Sequence, residues 1–282
     1  MKNIWVPLSG AIAQQRKVEV LANNVANANT PGFKRDQIAF REHLTALERN
    51  TPDINLPHKD WAPEDFYHTQ GAENAFVKVD GTYTDHGQGQ LHPTKNPLDL
   101  ALQGPGFFEV LTPNGIRFTR RGSFTITSNG TLTTSQGYPI LKKVNRSALG
   151  EESNPADPAK GALPPPTERV FNLSGRNIII SLQGEIIVDG ASQGDLSVVE
   201  FNDNSALKKE GSSLFINPDK QNFSTTAAQS SVYQGFLEQS NVNAIIEMSE
   251  LIKANRHFES IQRAIKTYDQ ISGKSVNDIA KF

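Results

Sequence analysis

Apolar and polar positions follow two rhythms along the chain. From Ile4 to Asn29 a stripe recurs at Ile4, Leu8, Ala11, Gln15, Val18, Ala22, Val25 and Asn29, and steps of four and three place every member on one face of a helix. Ile4, Ala11, Val18 and Val25 fall on a heptad, the coiled-coil period. The stripe is thin, because alanine is small, Gln15 and Asn29 are polar, and Pro7 and Gly10 weaken the first turns. Pro31 pushes Thr30 out of the helical region, and Gly32 supplies a turn. A stronger stripe closes the chain at Met248, Leu251, Ala254, Phe258, Ile261, Ile265 and Tyr268. Ser240, Asn241 or Asn243 can cap it, Glu247 and Glu250 suit the positive end of its dipole, and Ser272-Gly273 predicts its end.

Between the helices the period drops to two. Residues 106–111 and 116–120 flank Asn114-Gly115, residues 123–127 and 131–133 flank Asn129-Gly130, and residues 178–182 and 185–188 flank Gln183-Gly184. Each reads as a hairpin whose turn tolerates positive φ. Leu196 to Phe201 reads as a further strand. Proline punctuates residues 50–70, an extended connector, and residues 145–168, a long surface loop. The expected organisation is an N-terminal helix and turn over 1–34, an extended connector over 35–79, a mostly β domain over 80–225 and a C-terminal helix with tail over 226–282. The fold class is therefore a mainly β central domain with α-helical N- and C-terminal segments, which pair as a discontinuous coiled-coil-like domain.

Composition narrows the function. A net charge of −2 over 282 residues removes the basic face that nucleic-acid or polybasic membrane binding needs. Cysteine is absent, which excludes thiol catalysis and Cys-ligated zinc. No apolar run approaches the roughly 18 residues of a membrane span, and the start lacks the apolar stretch of a secretory signal. Gly190-Ala191-Ser192-Gln193-Gly194 matches the nucleophile elbow, but strand character follows where a helix is required, so a Gly-rich turn between strands is expected. His86 and His92, near Asp85 and Asp99, read as solvated loop histidines and not as metal ligands. Gly87-Gln88-Gly89 and Gly104-Pro105-Gly106 lack the third glycine of a phosphate loop and read as turns. Arg117, Arg120 and Arg121 read as hairpin charges facing water, and Glu151-Glu152 as loop residues. No catalytic, cofactor-binding or metal-binding set emerges. Asn23, Asn24, Asn27 and Asn29 crowd the end of the first helix, where buried amides would fix register at a cost in stability. So thin a stripe favours packing between molecules over a private core.

Leu21-Ala22-Asn23-Asn24-Val25-Ala26-Asn27-Ala28-Asn29-Thr30-Pro31-Gly32-Phe33-Lys34 resembles the N-terminal signature of the flagellar rod and hook proteins. The likeness continues through 97–141, with Phe118-Thr119-Arg120-Arg121-Gly122, and through 235–268, with Leu237-Glu238-Gln239-Ser240-Asn241. Together these blocks cover about a third of the chain. The resemblance implies a structural subunit with no cofactor, exported through the flagellum's own type III channel without a cleaved signal. It implies assembly with other rod proteins and with copies of itself into a rod spanning the periplasm. The terminal helices would line the tube and be disordered beforehand. Ile252-Lys253-Ala254-Asn255-Arg256-His257-Phe258-Glu259 leans towards a proximal over a distal rod member. The expected assembly interface is Leu8, Ala11, Val18, Leu21, Val25, Asn29, Pro31, Gly32, Phe33, Met248, Leu251, Ile252, Phe258, Ile261, Ile265 and Tyr268. An exported β binding module and a hydrolase using Ser192 are the alternatives from other classes.

Overall fold

The computed structural model describes residues 5–44, 75–143, 165–175, 177–211, 213–224 and 229–279. The connector at 50–70, Glu151-Glu152, most of the loop at 145–168 and the last three tail residues lie outside them. The chain forms two compact units, one from residues 1–26, 36–83 and 243–282, the other from 27–35 and 84–242. The second unit thus takes in the segments flanking both helices, beyond the 80–225 span expected for the β domain.

The first unit holds helix α1 (Trp5–Ala26), helix α2 (Ala244–Ile279) and a two-stranded ribbon of Asp36–Leu44 with Ala75–Thr84. Pro7 stands in the first turn of α1, where a backbone N–H has no helical partner. Asn243 is the cap chosen for α2, its Oδ1 accepting from the N–H groups of Ile245 and Ile246 at 3.1 and 3.2 Å. Contrary to expectation, α2 runs through Ser272-Gly273 to Ile279; an exposed glycine costs a helix only about 1 kcal/mol relative to alanine. The span 35–79 is likewise not all extended connector, since the ribbon occupies both of its ends.

The second unit is antiparallel β. Its largest sheet runs in the order Val198–Val199, Phe107–Thr112, Gly115–Thr119, Leu214–Ile216 and Lys208–Glu210. Phe107 and Phe108, neighbours in sequence, point to opposite faces. Phe108 joins a core with Leu100, Val110, Phe124, Ile140, Phe171 and Ile186. Phe107 joins an aromatic cluster with Phe118, Phe201 and Phe215, packed edge to face at centroid separations of 4.9 to 5.6 Å. The three expected hairpins form as 107–112 with 115–119, 124–126 with 132–134 and 178–180 with 185–188. The first turn differs in detail: Thr112 pairs with Gly115, so Pro113-Asn114 make the corner and only Gly115, at φ 102°, is left-handed.

The structure departs from the sequence pattern at three places. Arg120 does not face water; it is 2% exposed, while Arg117 pairs with Glu210 and Arg121 donates to Ser123 Oγ. His86 is half-buried against Phe107 and Phe215, with ring centroids 5.8 and 5.2 Å away, because imidazole offers an apolar face to an aromatic cluster. In the nucleophile-elbow match the turn falls at Asp189-Gly190 and Ser192 sits inside the strand Ala191–Asp195, its Oγ donating to Glu185 Oε1 at 2.6 Å. His92 is exposed, as expected.

Close backbone approach explains several glycines. A Cβ on Gly122 would lie 1.5 Å from the carbonyl oxygen of Leu100, whereas one on Gly211 would meet nothing within 4 Å. Gly122→Ala is therefore expected to lower stability by about 3 kcal/mol or more and Gly211→Ala by no more than about 0.5 kcal/mol, read by denaturant unfolding.

Candidate assembly surface

Within the first unit, α1 and α2 pack against each other. Ala11, Ala13, Leu21 and Asn24 are the buried residues of α1, so its inner face is rotated from the expected stripe. Leu8, Val18 and Val25 are half-buried, while Gln15, Ala22 and Asn29 are exposed. Asn24 explains the rotation. Its Oδ1 accepts from the Asp36 N–H at 3.0 Å, and its Nδ2 donates to the Asp36 carbonyl at 2.8 Å and to Glu247 Oε2 at 3.2 Å. One fully buried amide thus ties α1 to the ribbon and to α2. Asn23 is exposed, so buried amides are not general to the run.

Helix α2 carries two apolar faces. The first steps through Glu247, Leu251, Ala254, Phe258, Ile261 and Ile265, all buried or half-buried. Small side chains bring the helices together there: a Cβ on Gly10 would lie 3.9 Å from Ile261 Cδ1. The second face lies roughly 130° around the helix and is uncovered: Ile245, Met248 and Ile252 are 76%, 45% and 53% exposed. Beyond it, that side continues as Asn255, Arg256, Glu259, Arg263 and Lys266, all exposed. Tyr268 is also exposed, as is Ile12 of α1. Sequence periodicity found the first face and, through Met248 and Ile252, only part of the second; the spacing of Ile245 to Met248 and Ile252 was the available signal.

Four of the expected residues, Asn29, Pro31, Gly32 and Phe33, belong to the second unit, where Gly32 and Phe33 are buried. Gly32 has φ +67° and lies against the Arg120–Arg121 peptide, 2.5 Å from where its Cβ would be; its N–H donates to the Glu238 carbonyl at 2.8 Å. Lys209 Nζ lies 3.7 Å from the Phe33 ring centroid and donates to the Lys34 carbonyl at 2.9 Å. Lys34 Nζ donates to Glu238 Oε1 and to the Gly87 carbonyl, both at 2.7 Å. Arg120 donates to Glu238 Oε2 at 3.3 Å and to the Gly104 carbonyl, and the Gly89 N–H gives Glu238 Oε1 another donor at 2.9 Å. All three charged side chains are at most 2% exposed. Asn241 closes the same region, accepting from the Arg35 N–H at 2.7 Å and donating to the Asp85 carbonyl at 2.9 Å. The two Gly-rich turns therefore supply backbone groups to ion pairs. Charge type in the sequence gave no warning of this cluster.

Three family models match in chain order: Flagella basal body rod protein over residues 6–34, Flagellar hook protein FlgE/F/G D1 domain over 101–188, and Flagellar basal body rod FlgEFG protein C-terminal over 233–279. The flagellar basal-body rod protein FlgG of Buchnera aphidicola subsp. Schizaphis graminum is 31% identical over 278 residues, covering 96% of this chain and 97% of that protein. FlgF of Caulobacter vibrioides is 32% identical, covering 99% and 98%, and FlgG of the same organism is 28% identical, covering 96% and 97%. The chain belongs to the family of flagellar basal-body rod structural proteins. Its N-terminal signature, its arginine motif and its C-terminal motif are the segments that supply Lys34, Arg120 and Glu238.

Two cations on one carboxylate make Glu238 the sensitive member. Glu238→Gln is expected to destabilise the second unit by about 3–5 kcal/mol in denaturant unfolding, and Lys34→Met by less, since Arg120 and Glu238 remain one to one. Burial lowers the Lys34 pKa below the ordinary lysine value; Glu238 opposes this and the Arg120 charge adds to it. The unfolded chain then binds more protons in the window below the ordinary lysine value, so stability should rise with pH through that window. Lys34→Met should flatten that slope.

Proposed function

We propose that this chain is a subunit of the flagellar rod, polymerising through α1 and α2 into the shaft that transmits torque across the periplasm. The carrying observation is the second apolar face of α2, exposed on a helix whose first face is already packed on α1. Ordering backbone costs about 1–2 kcal/mol per residue, and a helix pair whose fully buried apolar residues are Ala11, Ala13, Leu21 and Ala254 offsets little of it. Neighbouring copies and other rod proteins supply the missing apolar surface, so the helices order as the rod grows. A head-to-tail contact whose rotation does not close gives an open helical filament. The role is mechanical, with no reaction in any one subunit. Export proceeds through the flagellar secretion channel.

The proximal rod is the favoured position. The 252–259 segment leans that way, and of the two Caulobacter relatives FlgF is 32% identical and FlgG 28%. A distal position is the second reading, favoured by the FlgG relatives. Arrest of basal bodies before completion of the proximal segment, in cells lacking this chain, separates the two.

Replacing both Ile245 and Ile252 by Asp removes two apolar contacts worth about 1.5–3 kcal/mol each. Assembly followed by sedimentation is expected to weaken roughly a hundredfold or more, with melting of the second unit unchanged. Undiminished assembly would overturn the proposal.

A further inference from the structure

The strand Ile178–Ile180 lies at the edge of a three-stranded sheet whose other members are Glu185–Val188 and Ala191–Asp195. Its sequence is three consecutive isoleucines, and Ile179 is 50% exposed. An apolar, β-branched edge of this kind is a template for pairing with another chain.

The backbone alternation shows which groups are at risk. Asn177 accepts from the Asp189 N–H at 3.0 Å and the Ser181 N–H donates to Glu185 at 2.9 Å, with Ile179 opposite Ile187 between them. Residues 177, 179 and 181 therefore turn their backbone groups into the sheet, and 178, 180 and 182 turn theirs outward. The outward groups meet a side chain. Gln234 Oε1 accepts from the Ile180 N–H at 3.1 Å, and Nε2 donates to the Ile178 carbonyl at 2.9 Å and to the Pro97 carbonyl at 2.9 Å. The Leu182 carbonyl accepts from the Val232 N–H at 2.9 Å. A residue of a parallel neighbour would bond the same way, its C=O accepting from one N–H and its N–H donating to the carbonyl two residues back. The strand carrying Gln234, Ser231–Gln234, pairs with Leu100–Gln103 along its other edge; on this side its Val232 N–H bonds the Leu182 carbonyl, and the Gln234 amide alone reaches the outward groups of Ile178 and Ile180.

We infer that Gln234 is an edge plug: its amide fills the outward pairing positions of Ile178–Ile180 and keeps that strand from pairing with the same strand of a second copy. This does not rest on the helix-mediated assembly proposed above, and the test runs with Ile245 and Ile252 replaced by Asp so that helix association does not contribute. In that full-length background, Gln234→Ala is expected to speed amide exchange at Ile180 by roughly three- to tenfold and to produce concentration-dependent, thioflavin-positive association. Adding Ile179→Lys, a charge on the exposed side of the edge, should abolish the association. The inference is overturned if Gln234→Ala associates no more than the parent chain. It is equally overturned if the association survives Ile179→Lys, which would mark general unfolding as the cause.

Discussion

A single carboxylate, that of Glu238, is shared by two buried cations, and closure of the second unit depends on it. Lys34 and Arg120 lose their water on burial, a cost that only paired charge and hydrogen bonds offset. Glu238 bonds both, and at longer range Asp85 favours the charged form of Lys34 and Glu200 that of Arg120. The three side chains come from residues near the start, in the middle and near the end of the chain. None can be buried alone, so the unit closes as one event in which all three segments take part. A buried ion pair contributes little net stability over apolar packing of the same shape. Its selectivity is greater: any other pairing of these segments would strand a charge.

The same cluster marks what the sequence could and could not disclose. Hairpins around Asn129-Gly130 and Gln183-Gly184 were legible because turn chemistry and period-two alternation are local. Arg120 is hidden because charge normally reports solvent, and its partner is 118 residues away. Asn24 was hidden for a similar reason. Its neighbours in the asparagine run look chemically equal, and only the Asp36 backbone and Glu247 single it out. The ribbon carries no hairpin signal, because its strands, nine and ten residues long, are joined by a long proline-punctuated stretch and not by a short turn. Gly273 signals a stop because glycine commonly follows a helix end, yet its cost of about 1 kcal/mol does not break a 36-residue helix.

The two units solve the core problem differently. The second buries phenylalanines on both faces of one sheet and ties its segments with backbone ladders and ion pairs. The first has a thin interior of alanine, leucine and a polar contact between Asn24 and Glu247. A polar group in such a seam fixes register at some expense of stability, and here it fixes α1 against both the ribbon and α2. A thin seam with a defined register suits a helix pair completed by further helices better than one that stands alone.

A chain that polymerises must confine its adhesiveness. The apolar second face of α2 ends within two turns and gives way to Asn255, Arg256 and Glu259, so the length of helix open to apolar contact is short and defined. The sheet edges are treated the opposite way. Lys208–Glu210 ends the largest sheet with Lys-Lys-Glu, charges that oppose strand pairing. Ala191–Asp195 ends another with Ser192, Gln193 and Asp195 on its edge. Ile178–Ile180 has neither device, and a composition suited to its inward-packed neighbours would leave it the most adhesive edge of its sheet. The side-chain amide of Gln234 meets that need without altering the isoleucines, two of which, Ile178 and Ile180, the core requires. Strand pairing is thereby opposed at each of these edges, while the apolar surface of α2 stays open to association.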